Sequence, residues 1–97
     1  MLTAKQKRYL KALGAKLDPV VQVGKAGVPP ALAASAGAAL AARELIKVKV
    51  LQNSPLEADE ALEKLVEATG AELVQRIGRN GLLYKPNAEK PKLVLPQ

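Results

Sequence analysis

The sequence predicts an α+β fold in which three helices and four strands follow one another as α-β-α-β-α-β-β. Its 97 residues are 48% hydrophobic and 25% charged, a composition typical of one small folded domain. Apolar residues at helical spacing alternate with short β-branched runs, and the last two runs are joined by a glycine turn. Because helices connect the early strands and a hairpin connects the last two, we expect a four-stranded mixed sheet with helices mainly on one face.

The first helix is predicted from Ala4 to Leu13. Thr3 and Gln6 have the spacing of a capping box, in which each side chain bonds to the backbone amide of the other residue. Gly14 is the expected stop, since glycine commonly follows the last helical residue. Basic residues recur at every third position along one side of this helix: Lys5, Arg8 and Lys11.

A β-branched run from Val20 to Val23 predicts the first strand, which ends at a Gly-Lys-Ala-Gly segment, residues 24–27. The second helix is expected to run from the Pro29-Pro30 pair to about Ala42, since a proline at the first helical position loses no needed N–H group. Gly37 inside this helix would weaken it, and a close approach of the helix to the sheet is the expected reason for its presence.

The second strand, Leu45 to Val50, alternates between apolar and basic residues. Lys47 and Lys49 are expected on an open face of the sheet, where they bind RNA or only keep that face soluble. The alternate positions are expected to face the core: Ile46, Val48 and Val50.

A third helix is predicted between Ser54-Pro55, a cap followed by a first-turn proline, and Gly70. Two further strands, Leu73 to Ile77 and Leu82 to Lys85, are expected to form a hairpin around a tight turn at residues 78–81.

A short extended tail is expected from about residue 86. Within it, the apolar stretch Leu93-Val94-Leu95 either adds a weak edge strand or packs across the sheet. The whole chain, residues 1–97, is interpreted as a single domain.

The residues that the chain lacks argue against enzymatic activity. It has no cysteine and no histidine, so thiolate metal sites are ruled out and the commonest general base is missing. Glu60, Glu63 and Glu67 recur on neighbouring turns of the third helix, but the other acids are scattered singly, which favours a solvated face over a metal site. We therefore predict no enzymatic activity, no cofactor and no small-molecule substrate.

Charge is distributed unevenly along the chain, whose net charge is +6. Residues 54–70 hold five carboxylates and one lysine, whereas the rest holds fourteen lysines and arginines against four carboxylates. This asymmetry predicts an acidic helix and a basic remainder that attracts a polyanion. The longest apolar run, residues 28–42, is shorter than the ~20 residues that span a bilayer, and the N-terminus does not have the pattern of a signal peptide. A cytoplasmic protein with no membrane partner is expected.

The strongest candidate for a binding site is the loop formed by Gly24, Lys25, Ala26 and Gly27. Two glycines allow a backbone to approach a phosphate, a lysine neutralises it, and the following helix N-terminus offers free N–H groups. On its own, the loop is better explained as an ordinary strand-to-helix turn. The second G-x-x-G segment, residues 78–81, is better explained by hairpin turn chemistry, although Arg79 adds positive charge there.

Several spaced segments together are much more specific than this loop alone. They are Leu2–Lys7, Pro19–Gly27, Glu44–Lys49, Ile77–Arg79 and Leu83–Lys85, in order across nearly the whole chain. These segments resemble the bacterial YhbY proteins of the CRM-domain family, whose name stands for chloroplast RNA splicing and ribosome maturation.

The resemblance implies a fold similar to the C-terminal domain of bacterial translation initiation factor three, with a G-x-x-G loop like that of KH domains. It also implies an RNA-binding protein that acts in ribosome assembly, with precursor large-subunit ribosomal RNA or pre-ribosomal particles as its partner. By position, the resemblance places the RNA-contacting loop on Gly24, Lys25, Ala26 and Gly27, with Lys5 and Arg8 of the first helix as helpers. The expected RNA-binding residues also include three chosen for their charge and position: Lys47, Lys49 and Arg79.

Two positions depart from the family pattern. The helix after the loop is nearly all alanine until Arg43, where family members usually carry charged residues. Lys85 stands where members commonly have an arginine after the tyrosine, which keeps the charge but loses the planar guanidinium.

A function of another class is the alternative to RNA binding. In that alternative, this protein is a protein-interaction module. Its acidic third helix would dock a basic ribosomal protein, and RNA would bind only weakly.

Overall fold

The computed structural model describes residues 2–87, 93, 95 and 96. Within them, the chain forms helices and strands in the predicted order α-β-α-β-α-β-β, so the predicted α+β class with a mixed sheet is confirmed. The elements are α1 (Ala4–Gly14), β1 (Pro19–Val23), α2 (Pro30–Arg43), β2 (Leu45–Val50), α3 (Ala58–Thr69), β3 (Glu72–Ile77) and β4 (Asn80–Tyr84).

The start of α1 is fixed by the predicted capping box. The Gln6 amide donates to the Thr3 hydroxyl over 3.1 Å, and the Thr3 amide donates to the Gln6 side-chain oxygen over 3.0 Å. Gly14 belongs to the helix, which is followed by Ala15 in a right-handed conformation. A Cβ at Gly14 would overlap the Leu82 side chain, so this glycine allows α1 to approach the sheet closely.

Three of the segments that connect helices and strands lie at the same end of the sheet. The strand order is β1-β2-β4-β3, with β1 parallel to β2 and β4 antiparallel to both of its neighbours. The parallel pair requires a crossover, which α2 supplies. As a result, the last residues of β1 and β2 lie at the same end of the sheet as the turn between β3 and β4.

Helices α2 and α3 cover one side of the sheet, which we call the closed face. Its core is aliphatic, and the three inward positions predicted for β2 all belong to it. Its buried members include Val21, Val23, Leu40, Ile46, Val48, Val50, Leu62, Leu65 and Leu83.

Helix α1 packs on the opposite side, which we call the α1 face. It covers a smaller cluster made of Leu10, Leu45, Val74, Leu82 and Tyr84. Leu93 and Leu95 from the tail pack against this cluster. These two residues therefore pack across the sheet, the second of the two predicted arrangements, whereas Val94 and residues 88–92 of the predicted tail lie outside the described residues.

Glu44 connects the end of α2 to the tail. It is fully buried, and its backbone has a positive φ of 64°, which is rare for a residue other than glycine. Its two carboxyl oxygens accept hydrogen bonds from the amides of Asn87 and Leu93, both at 2.8 Å. Because a buried carboxyl group is costly without such donors, these bonds stabilise both the side chain and the tail.

The expectation for Gly37 is wrong. This glycine is half-buried in α2, and no heavy atom of the surrounding structure lies within 4 Å of the position that a Cβ would take. The close approach of a helix to the sheet occurs at Gly14 of α1 instead. Among the described residues, no helix is long and apolar enough to cross a membrane.

Candidate nucleic-acid interface

The Gly24–Gly27 loop forms a tight turn at the end of β1. The Gly27 amide donates to the Gly24 carbonyl oxygen over 3.0 Å, and Gly27 has a φ of 72°, in the left-handed region that favours glycine. Gly27 is buried beneath the turn, while Lys25 and Ala26 at its tip are exposed. The loop therefore presents a lysine and a bare stretch of backbone to solvent.

The start of α2 offers fewer amide donors to an anion than the sequence suggests. Pro29 and Pro30 have no N–H group, and the amides of Leu32 and Ala33 already donate to the Pro29 carbonyl oxygen, over 3.0 and 3.1 Å. The attraction of this loop for an anion must therefore come mainly from charged side chains.

Leu51 joins the loop to the rest of the interface. Its amide donates to the Val23 carbonyl oxygen over 2.8 Å, and its side chain lies against Gly24, 3.6 Å from the position that a Cβ would take. On its other side, the Leu51 carbonyl oxygen lies 3.5 Å from a guanidinium nitrogen of Arg79, and the amide of Val50 donates to the Arg79 carbonyl oxygen. Lys25 and Arg79 thus lie on opposite sides of the short segment that follows β2 and begins at Leu51.

We call this end of the molecule the loop edge and define it as residues 24–27, 51–53 and 78–79. With the strand ends that lead into them, the three segments span residues 22–27, 49–54 and 76–81. They contain no carboxylate and four basic residues: Lys25, Lys49, Arg76 and Arg79. A polyanion approaching the loop edge therefore meets positive charge from three separate parts of the chain.

Lys49 lies in a row of side chains that crosses all four strands on the α1 face. Gln22 of β1 pairs with Lys49, Lys49 pairs with Asn80 of β4, and Asn80 pairs with Ile77 of β3. Lys49 is exposed, as predicted. Lys47, two residues earlier in β2, is half-buried and borders a cavity on the same face.

Lys5 and Arg8 are exposed on α1, which lies on the other side of the sheet from the helix that follows the Gly24–Gly27 loop. They belong to a separate basic surface.

Two other basic residues have structural partners. Arg76 forms an ion pair with Asp59 and donates to the Gly78 carbonyl oxygen over 2.6 Å. The Lys85 ammonium donates to the Thr69 carbonyl oxygen over 2.7 Å, at the C-terminal end of α3. A lysine suits this place because cations stabilise the negative end of a helix.

Neutral side chains at the interface were not predicted from the sequence. Asn53 is exposed, and its side-chain oxygen lies beside Gly24. Gln22 and Asn80 flank Lys49 in the row across the sheet. Amides that hydrogen-bond to nucleic acids carry no charge pattern, so only strand register reveals them.

Further acidic side chains lie on the surface of α3, the helix whose Asp59 pairs with Arg76. Glu60, Glu63 and Glu67 are exposed there. In the part of the chain that the structure describes, no group of three or more potential ligand side chains is placed to hold a metal ion.

The sequence as a whole matches the model of one protein family. The CRS1 / YhbY (CRM) domain matches residues 2–85, which include all helices and strands of the described residues.

Individual relatives are similar over their full length. The chain is 45% identical to the probable RNA-binding protein YqeI of Bacillus subtilis, covering 99% of this chain and 100% of that protein. It is 38% identical to an RNA-binding protein of Haemophilus influenzae, covering 99% and 96%. The solution structure of the hypothetical protein SAV1595 from Staphylococcus aureus superposes with a TM-score of 0.80 at 45% identity, covering 99% of this chain and all of that one.

Proposed function

This chain belongs to the CRS1 / YhbY (CRM) domain family, and we propose from that premise that it binds structured RNA through the loop edge. The observation on which the proposal rests is the convergence of Lys25, Lys49 and Arg79 at one end of the sheet, in segments without a carboxylate. Relatives over the whole length of the chain are named as RNA-binding proteins, which supports RNA as the polyanion.

The proposed mechanism is electrostatic. Lys25 and Arg79 contact phosphates from two sides of Leu51, and the exposed backbone of Gly24 to Gly27 allows the RNA strand to come close. Lys47 and Lys49 extend this surface onto the sheet, while Lys5 and Arg8 contact a more distant part of a large RNA. Because these contacts are to phosphates, they make the affinity fall steeply with salt, and they add little sequence preference of their own.

We further propose that the RNA is precursor large-subunit ribosomal RNA and that the protein acts as an assembly factor without chemistry. A compact domain with a small basic surface is suited to stabilising one RNA conformation. In-cell crosslinking with sequencing of the bound RNA tests this assignment, and enrichment of one region of the precursor RNA is the expected result.

The decisive experiment on the loop edge compares Lys25→Ala with Lys64→Ala, both measured by fluorescence anisotropy with a structured RNA across a salt series. Lys25 and Lys64 are both exposed, but Lys64 lies on the acidic helix α3. We expect Lys25→Ala to weaken binding about tenfold at 0.1 M salt and to lower the slope of log affinity against log salt by about one, since one phosphate contact is lost.

Lys64→Ala is expected to leave both quantities unchanged. Equal effects of the two variants would contradict a specific role for the loop. If pre-ribosomal association is lost only after Glu60→Gln and Glu63→Gln, the acidic helix is the binding surface, and the protein-interaction alternative is correct.

A further inference from the structure

A cavity opens on the α1 face next to the loop edge. Its volume is about 170 Å³, and it lies where α1 ends and the exposed part of the sheet begins. Side chains from three strands line it, together with the backbone at Gly14: Lys47, Gln75, Ile77, Asn80 and Leu82.

These side chains are held in place by strand register. Lys47 and Gln75 both pair with Leu82, one from each side, and Ile77 pairs with Asn80. Groups mounted on neighbouring strands are positioned more precisely than groups on loops, which is the usual requirement of a specific binding site.

The chemistry of the lining suits a nucleobase. The Gln75 and Asn80 amides each offer a donor and an acceptor, which is what the edge of a base requires. Leu82 and Ile77 offer apolar contact to a ring, and Ile77 is 65% exposed, so its side chain is accessible to a ligand. Lys47 provides a cation, and no carboxylate is among the lining residues.

The size of the cavity selects the kind of base. An apolar protein cavity of about 150 Å³ accommodates benzene, so a cavity of about 170 Å³ has room for one six-membered ring and its substituents. Since a two-ring purine needs more room than one ring, a pyrimidine is the closer match in size to this cavity.

The cavity is also continuous with the phosphate-binding surface proposed above. Asn80 directly follows Arg79 in the chain and pairs with Lys49 across the sheet. An RNA strand whose phosphates contact Arg79 and Lys49 therefore passes the mouth of the cavity. We propose that the cavity binds one unpaired pyrimidine base of the RNA held at the loop edge, an inference that rests on the proposed function.

The test uses the full chain with hexauridylate and hexaadenylate, and measures both affinities by fluorescence anisotropy at one low salt concentration. The native protein is expected to prefer hexauridylate by about tenfold, the discrimination typical of well-placed amide contacts to a base. The double variant Gln75→Leu/Asn80→Leu, with folding verified by circular dichroism and thermal unfolding, is expected to lose this preference. Lys25→Ala serves as the control, because it should weaken both oligonucleotides equally.

A second measurement does not depend on the double variant. Uridine monophosphate added to the native protein should shift the side-chain amide NMR signals of Gln75 and Asn80, whereas adenosine monophosphate should not. Equal, salt-dependent binding of both oligonucleotides with unshifted amide signals would overturn the base-binding inference alone. If neither oligonucleotide nor a structured RNA binds at low salt, the proposed function fails as well.

Discussion

The two faces of the sheet are built from alternate residues of the same strands but are covered very differently. On the closed face, Ile46 and Val48 are 1% and 0% exposed beneath α2 and α3. On the α1 face, helix α1 and the tail cover the cluster around Leu10, and the rest of the surface is open and carries Lys47 and Lys49. The proposed function therefore assigns stability and RNA binding to alternate residues between Ile46 and Val50 of β2, so substitutions on the two faces should have different consequences.

The largest expected effect is on the closed face. Leu62 of α3 is fully buried and packs directly on Gly81 of β4, where a Cβ would overlap the leucine side chain. Leu62→Ala should lower the free energy of unfolding by about 2 to 5 kcal/mol, because it removes apolar contacts and leaves a cavity. Urea denaturation measures this loss. Lys49→Ala on the open part of the α1 face is the matched control and should change stability by no more than about 0.5 kcal/mol.

A smaller effect is expected where α1 meets the sheet. Gly14→Ala should destabilise the protein by about 1 to 3 kcal/mol, because the added methyl group displaces the buried Leu82 side chain. Gly37→Ala should instead stabilise it by up to about 1 kcal/mol, since the position on α2 is open and alanine is the better helix former. Thermal unfolding of the two variants would contradict this account if their shifts had the same sign.

The smallest expected effect is a pH dependence on the α1 face. Burial, with a smaller contribution from the negative charge of Glu44, raises the pKa of Tyr84 above its ordinary value of 10.0. The folded state therefore holds the phenol proton more tightly than the unfolded state. The resulting stability is present below pH 10 and is lost as the pH rises through the folded-state pKa.

Denaturation midpoints between pH 9 and pH 11 test this prediction. The native protein should lose stability over this range more steeply than Tyr84→Phe, which has no phenol proton to lose. Parallel curves for the two proteins would mean that Tyr84 is not responsible.

Much of the fold was predictable because its signals are local. The capping box at Thr3 and Gln6 and the alternation along β2 each depend on residues close together in the chain, and both predictions are confirmed. The roles of Gly14 and Gly37 were not predictable in the same way. Both are glycines associated with helices, and what distinguishes them is whether Leu82, far along the chain, lies against the position.

The candidate site was predictable only in part, for a similar reason. Lys25, Lys49 and Arg79 were identified from charge and loop pattern, and their roles in RNA binding stay predictions. Their convergence depends on the contacts of Leu51 and on the register of four strands, which include irregularities in β1 and β3. No sequence pattern specifies where such irregularities fall, and without the register the cavity beside Asn80 cannot be recognised.

The hydrogen bonds of Glu44 show that the packed structure of the domain extends past β4 and past residue 85, where the family match ends. A chain cut after Lys85 would keep α1 to α3 and β1 to β4, but Asn87 and Leu93 would no longer donate to the Glu44 carboxyl oxygens. It would also lose the apolar cover that Leu93 and Leu95 give to the α1 face. The boundary at which this domain can be trimmed is therefore set by the donors of a buried carboxyl group, which lie beyond β4.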